Sequence, residues 1–213
     1  MVAIALAVAV TGWLAVLAYH AGSTSFDTWA LRTSLRHIGS GGAAVLLAVS
    51  EPAVSFGVIV VVVGVAALVR RWDVVAFAAL GPALAVLVTE QVLKPLIGRL
   101  IGVNVIAGDL TNAYVGAFPS GHETGVTSAA LVVLVALGQA RLRPAVRRGI
   151  VGVLIAWVLL AALGLVRNFY HYATDTVGGI GVSVAAVLGV ALAVDQWYAP
   201  VTHRLGARRR QLT

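Results

Sequence analysis

The residues best suited to chemistry lie in the stretch Phe118-Pro119-Ser120-Gly121-His122-Glu123. Pro119 and Gly121 indicate a tight turn, and Ser120 is typical of a residue that caps the helix expected to follow. The free N–H groups at a helix start, with a histidine beside them, suit an anion such as phosphate. We therefore predict an anion-binding turn here.

Two further polar clusters interrupt the apolar sequence, from Lys94 to Arg99 and from Arg167 to Asp175. His171 and Asp175 are four residues apart, so on a helix they would lie one turn apart on the same face. Asp175 could then hold one ring nitrogen and leave the other aimed at phosphorus. His122, from a different apolar segment, could protonate the departing oxygen. The pattern predicts phosphoryl transfer, and no group of side chains suggests a metal or cofactor.

Composition determines the class of protein that must position these residues. The chain is 60% hydrophobic and only 11% charged, whereas a soluble domain carries about a quarter charged residues. A polytopic membrane protein is therefore predicted. The formal net charge of +7 does not indicate a nucleic-acid partner, because the cations lie between apolar segments. The absence of cysteine excludes disulfides and thiolate chemistry.

Six apolar segments have about the 20 residues that a bilayer crossing needs. They are roughly Val2–Tyr19, a second ending at Val69 and beginning near Ser50 or at Ala43, Val74–Leu93, a fourth from the Ser120 turn to Ala140, Gly149–Val166 and Thr176–Val194. The stretch Ser23–Gly42 is expected at the membrane interface. We predict an all-α, six-transmembrane-helix domain over residues 1–198, followed by a basic tail over 199–213. The glycines at 178, 179 and 181 indicate close helix packing.

Ten of the fifteen Lys and Arg residues fall on one side of this layout. They are Arg70, Arg71, Arg141, Arg143, Arg147, Arg148, Arg204, Arg208, Arg209 and Arg210. The positive-inside rule makes that side cytoplasmic, so both termini are expected in the cytoplasm and the three polar clusters on the outer face. Single cations there would be read as interfacial residues of snorkelling type. Two histidines, an aspartate and three cations at one membrane depth favour a functional site instead.

The motifs resemble those of the membrane-bound phosphatidic acid phosphatase type 2 superfamily, which includes lipid phosphate phosphatases and polyprenyl diphosphate phosphatases. Its pattern is Lys-x6-Arg-Pro, then Pro-Ser-Gly-His, then Ser-Arg-x5-His-x3-Asp. Here Pro119 to His122 match the second motif, and His171 to Asp175 match the end of the third. The resemblance covers roughly Lys94–Gly179 by motif, and the six-helix layout matches over the whole chain.

The resemblance implies a metal-independent reaction through a phosphohistidine. His171 would be the nucleophile, His122 the acid, and Asp175 the residue that orients His171. The phosphate would be held by Lys94, Arg99, Arg167, Ser120 and the Gly121 backbone.

Both arginines are displaced from the family pattern. Seven residues after Lys94 the chain has Ile101-Gly102 where the family has Arg-Pro, and Arg99 comes two residues early. Arg167 precedes His171 by four residues, whereas the family spacing is six. Arg99 and Arg167 can therefore bind phosphate only if the local helix winding compensates. Glu90 lies one turn before Lys94 and is expected to pair with it, which would tune or neutralise the lysine.

We therefore expect an integral-membrane lipid phosphatase that acts on the extracytoplasmic face of a cell membrane. One Lys against fourteen Arg, with abundant Ala and Val, indicates a GC-rich bacterial genome. That favours a polyprenyl phosphate or diphosphate as substrate over phosphatidic acid or phosphatidylglycerol phosphate. The alternative is a catalytically degenerate protein that binds or transports lipid phosphates, which the displaced arginines favour.

Overall fold

The computed structural model describes residues 1–101, 114–138, 140 and 142–210, with backbone only for residues 21, 101, 114, 115 and 197–210. The predictions for residues 102–113, Arg141 and the tail end at 211–213 lie outside the described residues. Within the described part the chain is all-helical except for one pair of two-residue strands. The all-α prediction is confirmed.

The elements follow one another along the chain in a simple order. The first half contains α1 (Val2–Ala21), α2 (Ser25–His37), α3 (Ser40–Ala48), α4 (Pro52–Leu68), α5 (Trp72–Leu87), a π-helical turn (Val88–Leu93) and α6 (Lys94–Ile97). The second half contains β1 (Leu100–Ile101), β2 (Tyr114–Val115), α7 (Gly121–Gly138), α8 (Pro144–Arg167) and α9 (Ala173–Arg210). Helix α9 continues past residue 198, where the sequence predicted the tail to begin.

Six segments in the described residues are long and apolar enough to cross a membrane, as the sequence predicted. They are Val2–His20, Ser40–Leu68, Trp72–Ile97, Gly121–Gly138, Pro144–Arg167 and Ala173–Gln196. The second segment consists of α3 and α4, because Pro52 is the first residue of α4. Proline is tolerated there since the amide it lacks would have no intrahelical acceptor. A helix start near Ser50 is therefore confirmed for α4, whereas the whole segment begins at Ser40, close to the alternative start at Ala43.

The long helix α9 forms the centre of the bundle and packs against α5, α1 and α7. The close approach of α9 to its neighbours depends on glycine residues at the contacts. A Cβ on Gly181 would overlap the Thr11 hydroxyl of α1, and one on Gly81 would lie 3.1 Å from the Val187 Cα. A Cβ on Gly179 would lie 2.6 Å from the Ser120 carbonyl oxygen. The glycine-rich segment of α9 thus packs closely, as predicted.

The strands bring the ends of the long loop together just before the predicted anion turn. Strands β1 and β2 are antiparallel, with Leu100 opposite Val115 and Ile101 opposite Tyr114. The N–H groups of Gly116 and Ala117 both donate to the Arg99 carbonyl oxygen at 2.9 Å. The main chain that follows Lys94 is thereby fixed beside the main chain that precedes Pro119.

Candidate active site

The turn at Phe118 to Gly121 is held between α7 and α9. Ser120 caps α7 as predicted, because its Oγ accepts a hydrogen bond from the Glu123 N–H at 3.2 Å. The Ser120 N–H donates to the Asp175 carbonyl oxygen at 3.0 Å. Phe118, joined to Pro119 by a cis peptide bond, is completely buried. The turn is therefore attached directly to the segment that carries the third motif.

His171 lies in the turn before α9, since that helix begins at Ala173. The expectation that His171 and Asp175 share one helical face is therefore wrong, although the two side chains are close. The His171 Nδ1 is 3.7 Å from Asp175 Oδ2, too far for a hydrogen bond. That nitrogen instead lies 2.9 Å from the Ala117 carbonyl oxygen. The carboxylate of Asp175 is engaged elsewhere, with Oδ2 accepting from the Tyr172 N–H at 2.9 Å.

The hydrogen bond to Ala117 determines which ring nitrogen of His171 carries the proton. A carbonyl oxygen can only accept, so Nδ1 must be the protonated nitrogen in this contact. The neutral imidazole then has its lone pair on Nε2. His171 is almost fully buried, which protects this arrangement from exchange with water. The site thus presents Nε2 as the basic, nucleophilic atom.

His122, on α7, faces His171, which lies in the turn before α9. The centroids of the two imidazole rings are 6.1 Å apart, with their planes inclined by 60°. The Tyr170 ring lies 6.0 Å from the His122 ring in an edge-on arrangement. This distance and inclination are those of two rings in edge-on contact. The predicted pair of histidines is therefore brought together.

Lys94 and Glu90 lie beside the start of α7. The Lys94 Nζ donates to Glu90 Oε1 at 2.7 Å, which confirms the pairing predicted from the sequence. A Cβ on Gly121 would overlap this Glu90 oxygen and would lie 3.3 Å from the Lys94 Nζ. Glycine is thus required at 121 for the charged pair to approach the helix start. Lys94, Gly121 and His122 meet at one place, as the anion-site hypothesis expects.

Arg99 is directed into a buried cluster. Its Nη1 donates to the Thr174 hydroxyl at 2.7 Å and to Asp175 Oδ1. Its Nη2 donates to Asp27 Oδ2 at 2.9 Å and to the Gly22 carbonyl oxygen. The side chains of Arg99 and both aspartates are at most 1% exposed. Four of the five guanidinium donors therefore bind protein groups, and the predicted phosphate contact of Arg99 is not part of this arrangement.

The Arg99 cluster is completed by two residues that the sequence analysis did not select. The guanidinium carbon of Arg99 lies 4.2 Å from the centre of the Tyr172 ring. Asp27, in the first turn of α2, accepts from the Thr174 N–H at 2.8 Å and from its hydroxyl at 3.0 Å. Asp27 also accepts from the Thr24 N–H at 2.9 Å, which closes a capping box. The Thr-x-x-Asp spacing predicts that cap, but nothing in the sequence predicts the long-range contacts.

The contacts of Asp27 keep it ionised. Burial disfavours the charge, but hydrogen bonds from the Thr174 and Thr24 N–H groups, together with Arg99, outweigh burial and lower the pKa of Asp27. Burial raises the pKa of the Tyr172 phenol, although Arg99 beside the ring acts in the opposite direction. The cluster thus contains two carboxylates around one guanidinium.

Arg167 lies at the end of α8, and its Nε donates to the Ile38 carbonyl oxygen at 2.9 Å. Ile38 is the C-cap residue that directly follows α2. Among the described residues, the contacts of Arg167 do not include Lys94 or His171. The displaced arginine of the third motif therefore ties the end of α8 to the end of α2.

A third buried acid, Glu123, follows His122 on α7. Its Oε1 accepts from the Thr127 hydroxyl at 3.0 Å, and its Oε2 has no hydrogen-bond partner among the described residues. The Gly179 backbone of α9 packs against it, because a Cβ there would lie 3.2 Å from the Glu123 Cβ. Glu123 therefore faces α9, away from the groove that His122 lines.

An apolar groove of about 1090 Å³ leads to the charged residues. Its apolar lining comes from α4 and α5, at Phe56, Ile59, Val60, Val63, Val86 and Leu87, and its polar end is formed by Glu90, Gln91, Lys94 and His122. Phe56, Val60 and Leu87 are exposed on the outside of the bundle. The groove therefore opens on the outer surface of two segments that are long and apolar enough to cross a membrane.

No protein-family model matches this chain, and no curated protein or solved structure matches it either.

Proposed function

We propose that this protein is an integral-membrane lipid phosphatase related to the membrane-bound phosphatidic acid phosphatase type 2 superfamily. The observation that carries the proposal is that His122 lines the polar end of the groove and that its ring faces the ring of His171. Lys94 supplies a cation at the same point. A substrate with a long apolar chain and a phosphate head fits both parts of this arrangement.

In the first step, the His171 Nε2 lone pair attacks phosphorus. The bond from phosphorus to the lipid oxygen breaks as the bond to nitrogen forms, which leaves a phosphohistidine. The Ala117 carbonyl oxygen, bound to Nδ1–H, stabilises the positive charge that develops on the ring. His122, protonated before the step, gives its proton to the departing lipid oxygen.

In the second step, water replaces the histidine. His122, now neutral, accepts a proton from the water molecule while the water oxygen bonds to phosphorus. The bond from phosphorus to Nε2 breaks, inorganic phosphate is released, and both histidines return to their starting protonation states. Because the His122 ring lies next to the His171 ring, we assign to His122 the proton transfers of both the leaving group and the attacking water.

Lys94 and the start of α7 hold the phosphate oxygens. The Ser120 side chain occupies the Glu123 N–H, and the N–H groups of Gly121 and His122 belong to the first turn, which has no intrahelical acceptors. A helix N-terminus with a lysine beside it is a favourable place for an anion. This part of the mechanism depends on one side-chain cation, because Arg99 and Arg167 make other contacts.

The substrate is a lipid phosphate or diphosphate, with a polyprenyl carrier favoured and phosphatidic acid or phosphatidylglycerol phosphate as further candidates. The volume of the groove, about 1090 Å³, is at the upper end for small-molecule sites and suits a long chain. The purified protein should release phosphate from at least one lipid of this panel with EDTA present. His171→Ala should abolish release and leave lipid-phosphate binding within a few-fold. Release by the His171→Ala variant at the wild-type rate would disprove the nucleophile assignment.

The site is proposed to face the extracytoplasmic side, with both termini in the cytoplasm, because of the ten-to-five division of Lys and Arg. The chain has no cysteine, so single cysteines report position cleanly. Ser23→Cys, before α2, should react with an impermeant maleimide in intact spheroplasts. Ala145→Cys, at the start of α8, should react only after permeabilisation. The reverse pattern would place the site in the cytoplasm.

A second candidate function is binding or transport of lipid phosphates without turnover. Its support is specific: both motif arginines contact protein groups, so the phosphate has fewer cations than the family pattern provides. A protein of this kind would bind lipid phosphates and release no phosphate from any of them. The EDTA assay above separates the two functions.

A further inference from the structure

Glu90 places a carboxylate where the proposed function requires the substrate phosphate. Its Oε1 binds the Lys94 Nζ at 2.7 Å and lies so close to the Gly121 Cα that a methyl group there would overlap it. The phosphate would be held by the same two partners, the Lys94 ammonium and the start of α7. The carboxylate and the phosphate therefore cannot occupy these partners together.

The local helix geometry sets this position. Glu90 lies in the π-helical turn Val88–Leu93, and Lys94 follows immediately. Insertions of this kind are frequent at functional sites, because they change the direction of the side chains that follow. Both Glu90 and Lys94 line the polar end of the groove. The pair thus lies in the path of a lipid head group that enters from the bilayer.

A purely structural role explains this pair poorly. The Glu90 and Lys94 side chains are 38% and 22% exposed, so Lys94 can be hydrated without a protein partner. Exposed pairs of this kind contribute little to stability. A buried cation, by contrast, needs its carboxylates, as Arg99 does. The position of Glu90 at the polar end of the groove indicates a role in selecting the head group that binds there.

We propose that Glu90 is a specificity-determining residue that competes with substrate for Lys94. This inference rests on the proposed phosphatase function. A phosphodiester head group carries one negative charge, as a carboxylate does, so it has no electrostatic advantage over Glu90. A phosphomonoester carries nearly two charges and a diphosphate carries more, so either can displace the carboxylate. Glu90 thereby excludes the abundant membrane phosphodiesters from a site that is open to the bilayer.

The test compares Glu90→Gln with the wild-type protein in mixed micelles, using the best monoester or diphosphate substrate of the lipid panel. The substitution removes the competing charge with almost no change in size. KM should fall about tenfold, the effect of one charge-assisted hydrogen bond, while kcat changes less than threefold. Excess phosphatidylglycerol, an anionic diester, should inhibit the variant strongly and the wild-type protein little.

Glu51→Gln is the matched control. Glu51 is exposed just before the start of α4, and it is not the partner of Lys94. Its removal changes the local charge equally and should leave KM and the phosphatidylglycerol response as in the wild type. Equal responses of the two variants would show a general charge effect and overturn the proposal.

Other outcomes are equally decisive. A higher KM in Glu90→Gln, or a lower kcat without new diester inhibition, would show that Glu90 only positions Lys94. If the wild-type protein hydrolyses no lipid, the phosphatase function fails, and calorimetry with inorganic phosphate then tests the competition alone. Tighter phosphate binding by Glu90→Gln than by the wild type would support it. Equal binding, or none by either protein, would overturn it.

Discussion

Lys94 and Arg99 are five residues apart in one motif, yet the structure gives the two cations opposite surroundings. Arg99 is buried and bound to two aspartates, a threonine and a main-chain carbonyl. Lys94 is partly exposed and has one carboxylate partner at the end of an open groove. A short helix, Lys94–Ile97, and the left-handed residue Gly98 separate them and change the direction of the chain.

The difference shows that two cations of one motif can have different roles, with Arg99 holding the fold together and Lys94 placed to bind a ligand. A buried guanidinium with four of its donors occupied organises the elements around it, because removing either partner leaves an uncompensated charge. A partly exposed ammonium with one replaceable partner can exchange that partner for a ligand. The resemblance implies that both residues bind phosphate, whereas the contacts here leave only Lys94 at the groove, where the proposed substrate would bind.

The largest expected effect comes from removing Arg99. Arg99→Ala leaves Asp27 and Asp175 buried without their cation, which should destabilise the protein by about 3–5 kcal/mol. Lys94→Ala, in contrast, should leave the melting temperature nearly unchanged and lower kcat/KM by on the order of 100-fold. Thermal unfolding in detergent and phosphate-release kinetics measure the two effects. If Arg99→Ala were stable and simply slow, Arg99 would be a ligand and the contrast with Lys94 would disappear.

The second prediction is that the stability of the buried Arg99 cluster depends on pH through Asp27. The pKa of Asp27 is lowered in the folded protein, so its ionised form stabilises the fold above the unfolded-state pKa of about 3.9. This contribution is lost as pH falls through the lower, folded-state pKa. The wild-type melting temperature should therefore drop as the pH falls below about 5, and Asp27→Asn should start lower and drop less. Parallel curves would contradict this, and Glu51→Gln provides the control for an exposed carboxylate.

The smallest effect is expected for Arg167. Its observed contact is with the Ile38 carbonyl oxygen, outside the phosphate site. Arg167→Ala should therefore change kcat/KM by no more than about threefold and cost roughly 1 kcal/mol of stability. A loss of 10- to 100-fold in kcat/KM, poorly rescued by Arg167→Lys, would mean that Arg167 reaches the substrate. Lys94 and Arg167 would then both bind the phosphate, and Arg99 alone would have the structural role.

Much of the fold can be predicted from the lengths of the apolar segments alone. Six runs of apolar residues predict six membrane-crossing helices, because the bilayer leaves few alternatives for a long apolar segment. The start of α4 at Pro52 and the cap at Ser120 also follow from local rules, since each depends on residues within one turn. The pairing of Glu90 with Lys94 is of the same local kind.

The parts that could not be predicted depend on contacts between distant residues. Asp27 meets Arg99 across 72 positions and Thr174 across 147 positions, and no local pattern records either contact. The start of α9 at Ala173 depends on how Asp175 is bound by Arg99 and by the Tyr172 N–H. The spacing of His171 and Asp175 was therefore right about their proximity and wrong about the helix between them.

The bond from His171 to the Ala117 carbonyl oxygen has a consequence for how this site can evolve. A main-chain carbonyl is present whatever residue is encoded at position 117, so point mutation cannot delete the group that orients the ring. The tautomer of the proposed nucleophile therefore depends on the backbone conformation before Pro119 and not on the side chain at position 117. Drift in neighbouring side chains leaves it intact, while an insertion or deletion between β2 and the Ser120 turn would destroy it. Divergent descendants should therefore tolerate many substitutions here and almost no change in length.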